Sequence, residues 1–433
     1  MSTEHHVQGI PISRLAEEFG TPMYVYDADV LCGRYGGLRE ALHPSLEFFY
    51  SLKANPNISV YSVLRRAGAR AEVSSLTELR TAQRAGAAAE DIIFLGPGKS
   101  REELEACVED AVYAVVCESI QEMRELDEIA ERLDRDVDVL LRVNPSFTVK
   151  GSGLTMGGKP RQFGIDEERL LSEAGLLKGF PRLRCIGVHV YMGTRILSSE
   201  TIVRNTERIL DLAERLSVAM DFPLKTVDVG GGLGVGYFQG EDEIDLVALA
   251  DGLNPLIEGF LSRRPDTRMI MESGRYLAAP AGMYVVGVRY VKTSMGERFA
   301  VADGGTNHHM AAVGIGSFVK RNFPMRLLDA DTGRGGPEEW NVTGPLCTPN
   351  DTLGKRVSLP PLRQGDLIGV ERSGAYGPTA SPVHFLSHGH PAEVLVLDGR
   401  PHLVRERDRV EDMLGRQFLA PGLERGGARE DHR

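Results

Sequence analysis

The chain has 433 residues, 42% of them apolar and 26% charged, as expected for a soluble globular protein with core enough for two domains. Lys and Arg total 50 against 61 Asp and Glu, and the net charge of -11 argues against a general nucleic-acid partner. The five scattered cysteines hold no C-x-x-C pair, which suggests neither a disulfide framework nor a zinc site. The opening MSTEHHVQGIPISRL lacks the blocks of a signal peptide, and no apolar run approaches the roughly 18 residues of a membrane span. The expectation is a cytoplasmic protein with no membrane partner.

In chain order, a segment 1–27 containing PMYVYD is expected to join a later β domain. Eight short runs rich in β-branched and aromatic residues then read as strands: 46–53, 70–75, 92–96, 113–117, 138–144, 184–191, 226–230 and 268–272. Between them lie stretches such as SLTELRTAQRAG and IQEMRELDEIAERL, whose apolar positions recur three and four apart. Strands alternating with helices predict parallel pairing, and closure into a (β/α)8 barrel over 28–280 is the economical arrangement. Beyond residue 280 helical texture fades, and MYVVGVRYVK, RFAVAD, DLIGVE, AEVLVL and HLVRER predict a mainly β domain over 281–420. The tail 421–433 reads as flexible. Segment 145–164 is longer than a typical connection and is a candidate lid.

Catalytic groups of such barrels sit at the C-terminal ends of the strands. That rule singles out Lys53, Glu72, Arg142, His189, Tyr191, Gly230 to Gly232 and Glu272. Lys53 follows an aromatic strand, where desolvation would lower its pKa and free its lone pair for imine formation. An isolated strand-end lysine is more often a snorkelling one, so context decides. The run DVGGGLGVGYF (228–238) suits a phosphate cradle, because successive glycines let backbone N–H groups converge. A dinucleotide fingerprint does not fit it at any register, since Val235, Tyr237 or Gln239 falls where the last glycine belongs. In MESGRYL, Glu272 could face a heteroaromatic nitrogen and Arg275 a phosphate oxygen. His189 and Tyr191 alternate along one strand, so both are expected to face the mouth, with Thr194 near a phosphate. Cys347, in the polar TGPLCTPND, is a candidate reactive or proton-donating thiol, and Tyr376 lies in SGAYGP.

Taken together, SLKAN, AEVSSLTEL, GVHVYMGT, DVGGGLG, ESGR, GPLCTPND and GAYG resemble, in order, the fold-type III pyridoxal-phosphate decarboxylases, which include diaminopimelate and ornithine decarboxylases. The resemblance runs from about Gly20 to Val404. It implies an alanine-racemase-like (β/α)8 barrel followed by a mainly β domain. It also implies a head-to-tail homodimer in which the GPLC segment completes the partner's active site. On the family's pattern Lys53 carries pyridoxal 5'-phosphate, Glu272 pairs with its ring nitrogen, and Gly230, Gly231, Gly232, Arg275 and Tyr376 bind its phosphate, with Thr194 assisting. Glu72 and Arg142 are further cofactor contacts, Cys347 returns the proton, and Asp351 meets the distal part of the substrate. One departure stands out: the ring-stacking position, usually histidine, is Tyr191. A racemase of this barrel type would place arginine opposite the ring nitrogen, and a non-catalytic cofactor-binding homologue would lack the second domain.

Segment 303–324, DGGTNHHMAAVGIGSFVKRNFP, lacks the R-P-x-x-Y-type grip of diaminopimelate enzymes. With TMGGKPRQFGIDE and SPVHFLSHGHP it most resembles decarboxylases that act on amino acids carried by an acyl carrier protein, such as the γ-glutamyl and β-methylaspartyl types. His189, His308 and Asp351 are candidate substrate contacts, and Lys320, Arg321 and Arg326 could meet an acidic carrier.

Overall fold

A computed structural model of the chain describes residues 4–148, 154–238, 240–313, 321–330, 333–421 and 423. Eight strands form its first sheet: β1 (Leu46–Ser51), β2 (Arg70–Val73), β3 (Ile92–Phe94), β4 (Ala114–Cys117), β5 (Val137–Asn144), β6 (Leu183–His189), β7 (Thr226–Asp228) and β8 (Arg268–Ser273). Every neighbouring pair is parallel, and β8 pairs with β1 through Met269–Leu46 to Ser273–Tyr50, so the sheet closes on itself.

Strand period two explains why these runs read as continuously apolar. Phe49, Ile93, Val116, Leu140, Ile186 and Ile270 fill the barrel interior, whereas Phe48, Tyr50, Val115, Val139 and Met269 pack under the surrounding helices. Serine N-caps start three of those helices at the rim: Ser75 accepts Glu78 N, Ser100 Glu103 N and Ser119 Glu122 N. All eight expected strands are present, but five of them stop two residues earlier than their runs, because ladder pairing ends where the chain turns into the rim. Lys53 therefore lies in a 3-10 turn, Leu52–Ala54, and Tyr191 and Gly230 lie beyond their strands.

The second sheet is organised around the long strand Gly282–Ser294. Met23–Asp27 pairs antiparallel with it and parallel with Ala392–Leu397, so this early strand lies inside the sheet. Glu297–Ala302 and Leu367–Val370 also pair with Gly282–Ser294. Three strands that the sequence reading passed over, Met325–Leu327, Glu338–Thr343 and Thr352–Leu359, complete it. Among the described residues no helix is long and apolar enough to cross a membrane. Residues 149–153 of the candidate lid, Lys320, and the tail apart from Pro421 and Leu423 lie outside the described residues.

Candidate active site

The C-terminal rim of the barrel holds a cleft of about 320 Å³. Its walls bring together eight residues named from the sequence: Lys53, Tyr191, Thr194, Gly231, Gly232, Glu272, Arg275 and Tyr376.

Lys53 stands in the middle. Its side chain is 38% exposed, and Nζ donates to Glu72 Oε2 at 2.7 Å. Glu72, fully buried at the end of β2, also accepts from Ser74 Oγ at 3.0 Å. The expected lowering of the Lys53 pKa is not what the site produces. Burial does push it down, but the carboxylates of Glu72 and Glu272 outweigh burial and hold the free amine above its ordinary value. Nearby, Glu78 accepts from Ser74 N at 2.8 Å, and burial together with Glu72 pushes its carboxyl up to about 7.

One end of the cleft is anionic. His189 Nε2 lies 3.0 Å from Glu272 Oε1. Burial opposes ionisation of Glu272, but His189, Lys53 and Arg142 together hold its carboxyl down at about 2. A carboxylate oxygen of Asp228 lies within 4.8 Å of both His189 and Glu272, and Asp228 accepts from Gly230 N at 2.8 Å. Burial, and then the charge of Glu272, push the Asp228 carboxyl well above the usual range, so one of two neighbouring carboxyls stays neutral. His189 is completely buried beneath Glu272. It does not line the cleft beside Tyr191, because β6 ends at His189 and strand alternation does not carry past that point.

The other end is built from backbone and cations. Gly230 and Gly232 have φ of +65° and +103°, where glycine alone is unstrained. A Cβ on Gly231 would sit 2.1 Å from Glu272 O, and one on Gly232 2.2 Å from Gly193 O. Arg275 donates from Nη1 to the Tyr237 hydroxyl at 3.0 Å and lies 4.4 Å above the Tyr376 ring. Tyr376 N donates to Ala54 O at 2.7 Å, and Asn55 Nδ2 donates to Gly374 O at 3.0 Å. These bonds seat the second-domain loop against the Lys53 turn.

Other expected residues lie elsewhere. Arg142 pairs with buried Glu118 and covers the Phe163 ring at 4.6 Å, so it reaches Glu272 by its field and does not line the cleft. Glu118 also accepts from Gly164 N, and Leu154–Thr155 pairs with Gly193–Thr194, so the described parts of segment 145–164 are tied to the rim. Cys347 is exposed and lies outside the cleft of its own chain.

Two of the candidate substrate contacts do not line the cleft of their own chain. Asp351 is buried inside its loop, accepting from Thr306 N at 2.8 Å and Leu346 N at 2.7 Å. His308 is buried between the Tyr284 hydroxyl and Gly389 O. Both are polar residues spent on satisfying neighbouring groups. Arg321 and Arg326 are exposed, but each already has an internal carboxylate, Glu241 and Glu371. The sequence reading missed Glu78, Asp228 and Tyr237. Asp228 obeys the strand-end rule that found Glu272, whereas Tyr237 carried no local signal.

A family described as "Pyridoxal-dependent decarboxylase, pyridoxal binding domain" matches residues 33–279. The chain belongs to the pyridoxal-dependent decarboxylases, and it is a carboxy-lyase that uses pyridoxal 5'-phosphate. Among relatives, it is 39% identical to L-glutamyl-(BtrI acyl-carrier protein) decarboxylase of Niallia circulans, covering 94% of this chain and 96% of that one. Diaminopimelate decarboxylase of Campylobacter jejuni is 30% identical, over 93% and 97% of the two chains. A crystal structure of diaminopimelate decarboxylase from Helicobacter pylori complexed with L-lysine superposes with a TM-score of 0.84 at 28% identity, covering 93% of this chain and 98% of that one.

The cleft fits such a cofactor on its own terms. Arg275 Nε and Ser273 Oγ are buried without a partner at the glycine end, where a phosphate would satisfy them. The anionic carboxyl of Glu272 and the amine of Lys53 line the same cleft.

Proposed function

We propose that the chain removes the α-carboxyl group of an acidic amino acid, glutamyl or 3-methylaspartyl in type, that is tethered through its side-chain carboxyl to an acyl carrier protein. The observation that carries this reading is the 39% identity over 94% of the chain to a decarboxylase named for a carrier-bound glutamyl substrate, against 30% for the diaminopimelate enzyme. A thioester-linked chain has no distal charge, which suits the absence of a charged distal grip in segment 303–324.

In this reading Lys53 carries the cofactor covalently. Gly231, Gly232, Arg275 and Tyr376 hold its phosphate, with Gly230 shaping the turn and Thr194 assisting. Tyr191 stacks on the ring, and Glu272, anionic and braced by His189, keeps the ring nitrogen protonated. When bound, the cofactor supplies a pyridine ring that accepts the electron pair of the breaking bond. Glu72 accepts a hydrogen bond from Lys53 Nζ whenever that amine is free, and so would hold it beside the site once substrate has taken its place. Cys347 Sγ, delivered by a partner subunit of a homodimer, returns a proton to the α-carbon. The barrel domain spans 28–280 and the second domain 281–420.

The experiment is carbon dioxide release by purified enzyme from carrier-bound glutamate, carrier-bound 3-methylaspartate, and free diaminopimelate, lysine and ornithine. Turnover of a carrier-bound substrate alone is expected. Turnover confined to the free diamino acids would overturn the tethered-substrate reading while leaving the decarboxylase intact.

A further inference from the structure

An arginine side chain loses considerable rotamer freedom when it is ordered, so a phosphate-facing arginine works best when it is held beforehand. Arg275 is held between two tyrosines. The Tyr376 ring lies 4.4 Å from its guanidinium carbon and the Tyr237 ring 5.6 Å, and the Tyr237 oxygen accepts Nη1 at 3.0 Å. Tyr237 is 3% exposed and does not line the cleft. Burial pushes its phenol pKa up, so the oxygen stays a neutral acceptor.

Two elements fix Tyr237 in turn. Glu241 Oε2 accepts Tyr237 N at 3.1 Å and Phe238 N at 3.3 Å, and its other oxygen meets Arg321 from the second domain. Phe323, two residues past Arg321, packs its ring 4.8 Å from that of Tyr237 and 5.0 Å from that of His309. His309 Nε2 lies 2.8 Å from Ser373 Oγ, in the loop that carries Tyr376. The contacts therefore run from Arg275 through Tyr237, Phe323, His309 and Ser373 back toward Tyr376, crossing from barrel to second domain and returning.

We propose that Tyr237 is a positioning residue for the cofactor phosphate: its hydroxyl fixes Arg275 so that the unpartnered Nε faces the phosphate, and Glu241 and Phe323 hold Tyr237 in register. This rests on the assignment of Arg275 to the phosphate.

The test uses apo-enzyme titrated with pyridoxal phosphate and, separately, with pyridoxal, which has the same aldehyde and ring but no phosphate, each followed by absorbance. Tyr237→Phe keeps the ring and loses only the oxygen. It is expected to weaken pyridoxal phosphate by about tenfold, the size of a lost hydrogen bond to a charged group, and to leave pyridoxal within about twofold. No loss for either, or equal loss for both, overturns the proposal. Should Tyr237→Phe fail to fold, Glu241→Gln decides by the same criterion, with a selective loss of about threefold expected. Arg275→Gln in parallel separates the two levels. If it leaves the preference for the phosphorylated form intact, the phosphate assignment itself fails. If it is selective while Tyr237→Phe is silent, only the positioning role fails.

Discussion

The two ends of the cleft bind opposite charges by different means. At the glycine end, conformation does the work: backbone at positive φ, contacts too close for any Cβ, and an arginine clamped between rings. At the β7–β8 end, electrostatics does it, through two buried carboxyls pushed in opposite directions, Asp228 up and Glu272 down, beside a buried histidine. A site built by conformation is broken by adding atoms, whereas one built by charge is broken by moving a proton. The first should govern cofactor affinity and the second turnover.

Lys53 lies between the ends and tests their independence most severely. Lys53→Ala is expected to lower turnover by about three orders of magnitude or more, the usual cost of losing a covalent group. It should also leave no cofactor attached to the chain after borohydride reduction, while both ends still hold cofactor reversibly. Native turnover in that variant would sink the functional reading.

Glu272→Gln keeps the shape of its end and removes the charge. Turnover should fall by about a hundredfold, with cofactor affinity within about threefold of the parent. A loss of affinity to match Tyr237→Phe would show that the two ends do not divide their labour.

The smallest expected effect concerns stability. Glu272, held at about 2, contributes stability that is present above its ordinary 4.5 and is lost as pH falls toward 2. Glu78, pushed up to about 7, behaves in the opposite sense. The folded chain binds that proton more tightly than the unfolded chain does, so stability declines as pH rises from 4.5 through 7. In urea unfolding of the apo-enzyme at pH 5 and pH 8, Glu78→Gln should flatten that decline by on the order of 1 kcal/mol, after allowing for partial exposure. An unchanged slope would remove Glu78 from the account.

How much of this was legible in the sequence follows the range of the physics involved. Lys53, Glu272 and the glycines stand at or just beyond strand ends, and strands announce themselves locally, so the barrel and its rim chemistry could be read from runs of six or so residues. The direction of the Lys53 pKa could not. Burial is a property of its own segment, but the opposing carboxylates come from β2, by pairing with β1, and from β8, by barrel closure. The enclosure of Asp351 and His308 was hidden for the same reason, since a polar residue in a polar-looking loop gives no sign that its neighbours will enclose it. Tyr237 acts only through Arg275 and Phe323, each distant in sequence, and no local pattern reports such a meeting.

The strand Met23–Asp27, set between Gly282–Ser294 and Ala392–Leu397, bears on how the chain is made. A ribosome releases it long before either neighbour exists, so it must wait through synthesis of the entire barrel with both edges bare. The second sheet can zip only when residues near 397 have emerged, which makes the barrel the natural first folding unit and the dual-edged strand the last to be enclosed. A truncation that spares every cleft residue but removes 23–27 would cut Ala392–Leu397 and Arg400–Arg405 off from the rest of that sheet and take away the Tyr24 ring that lies against Gly377, the residue after Tyr376.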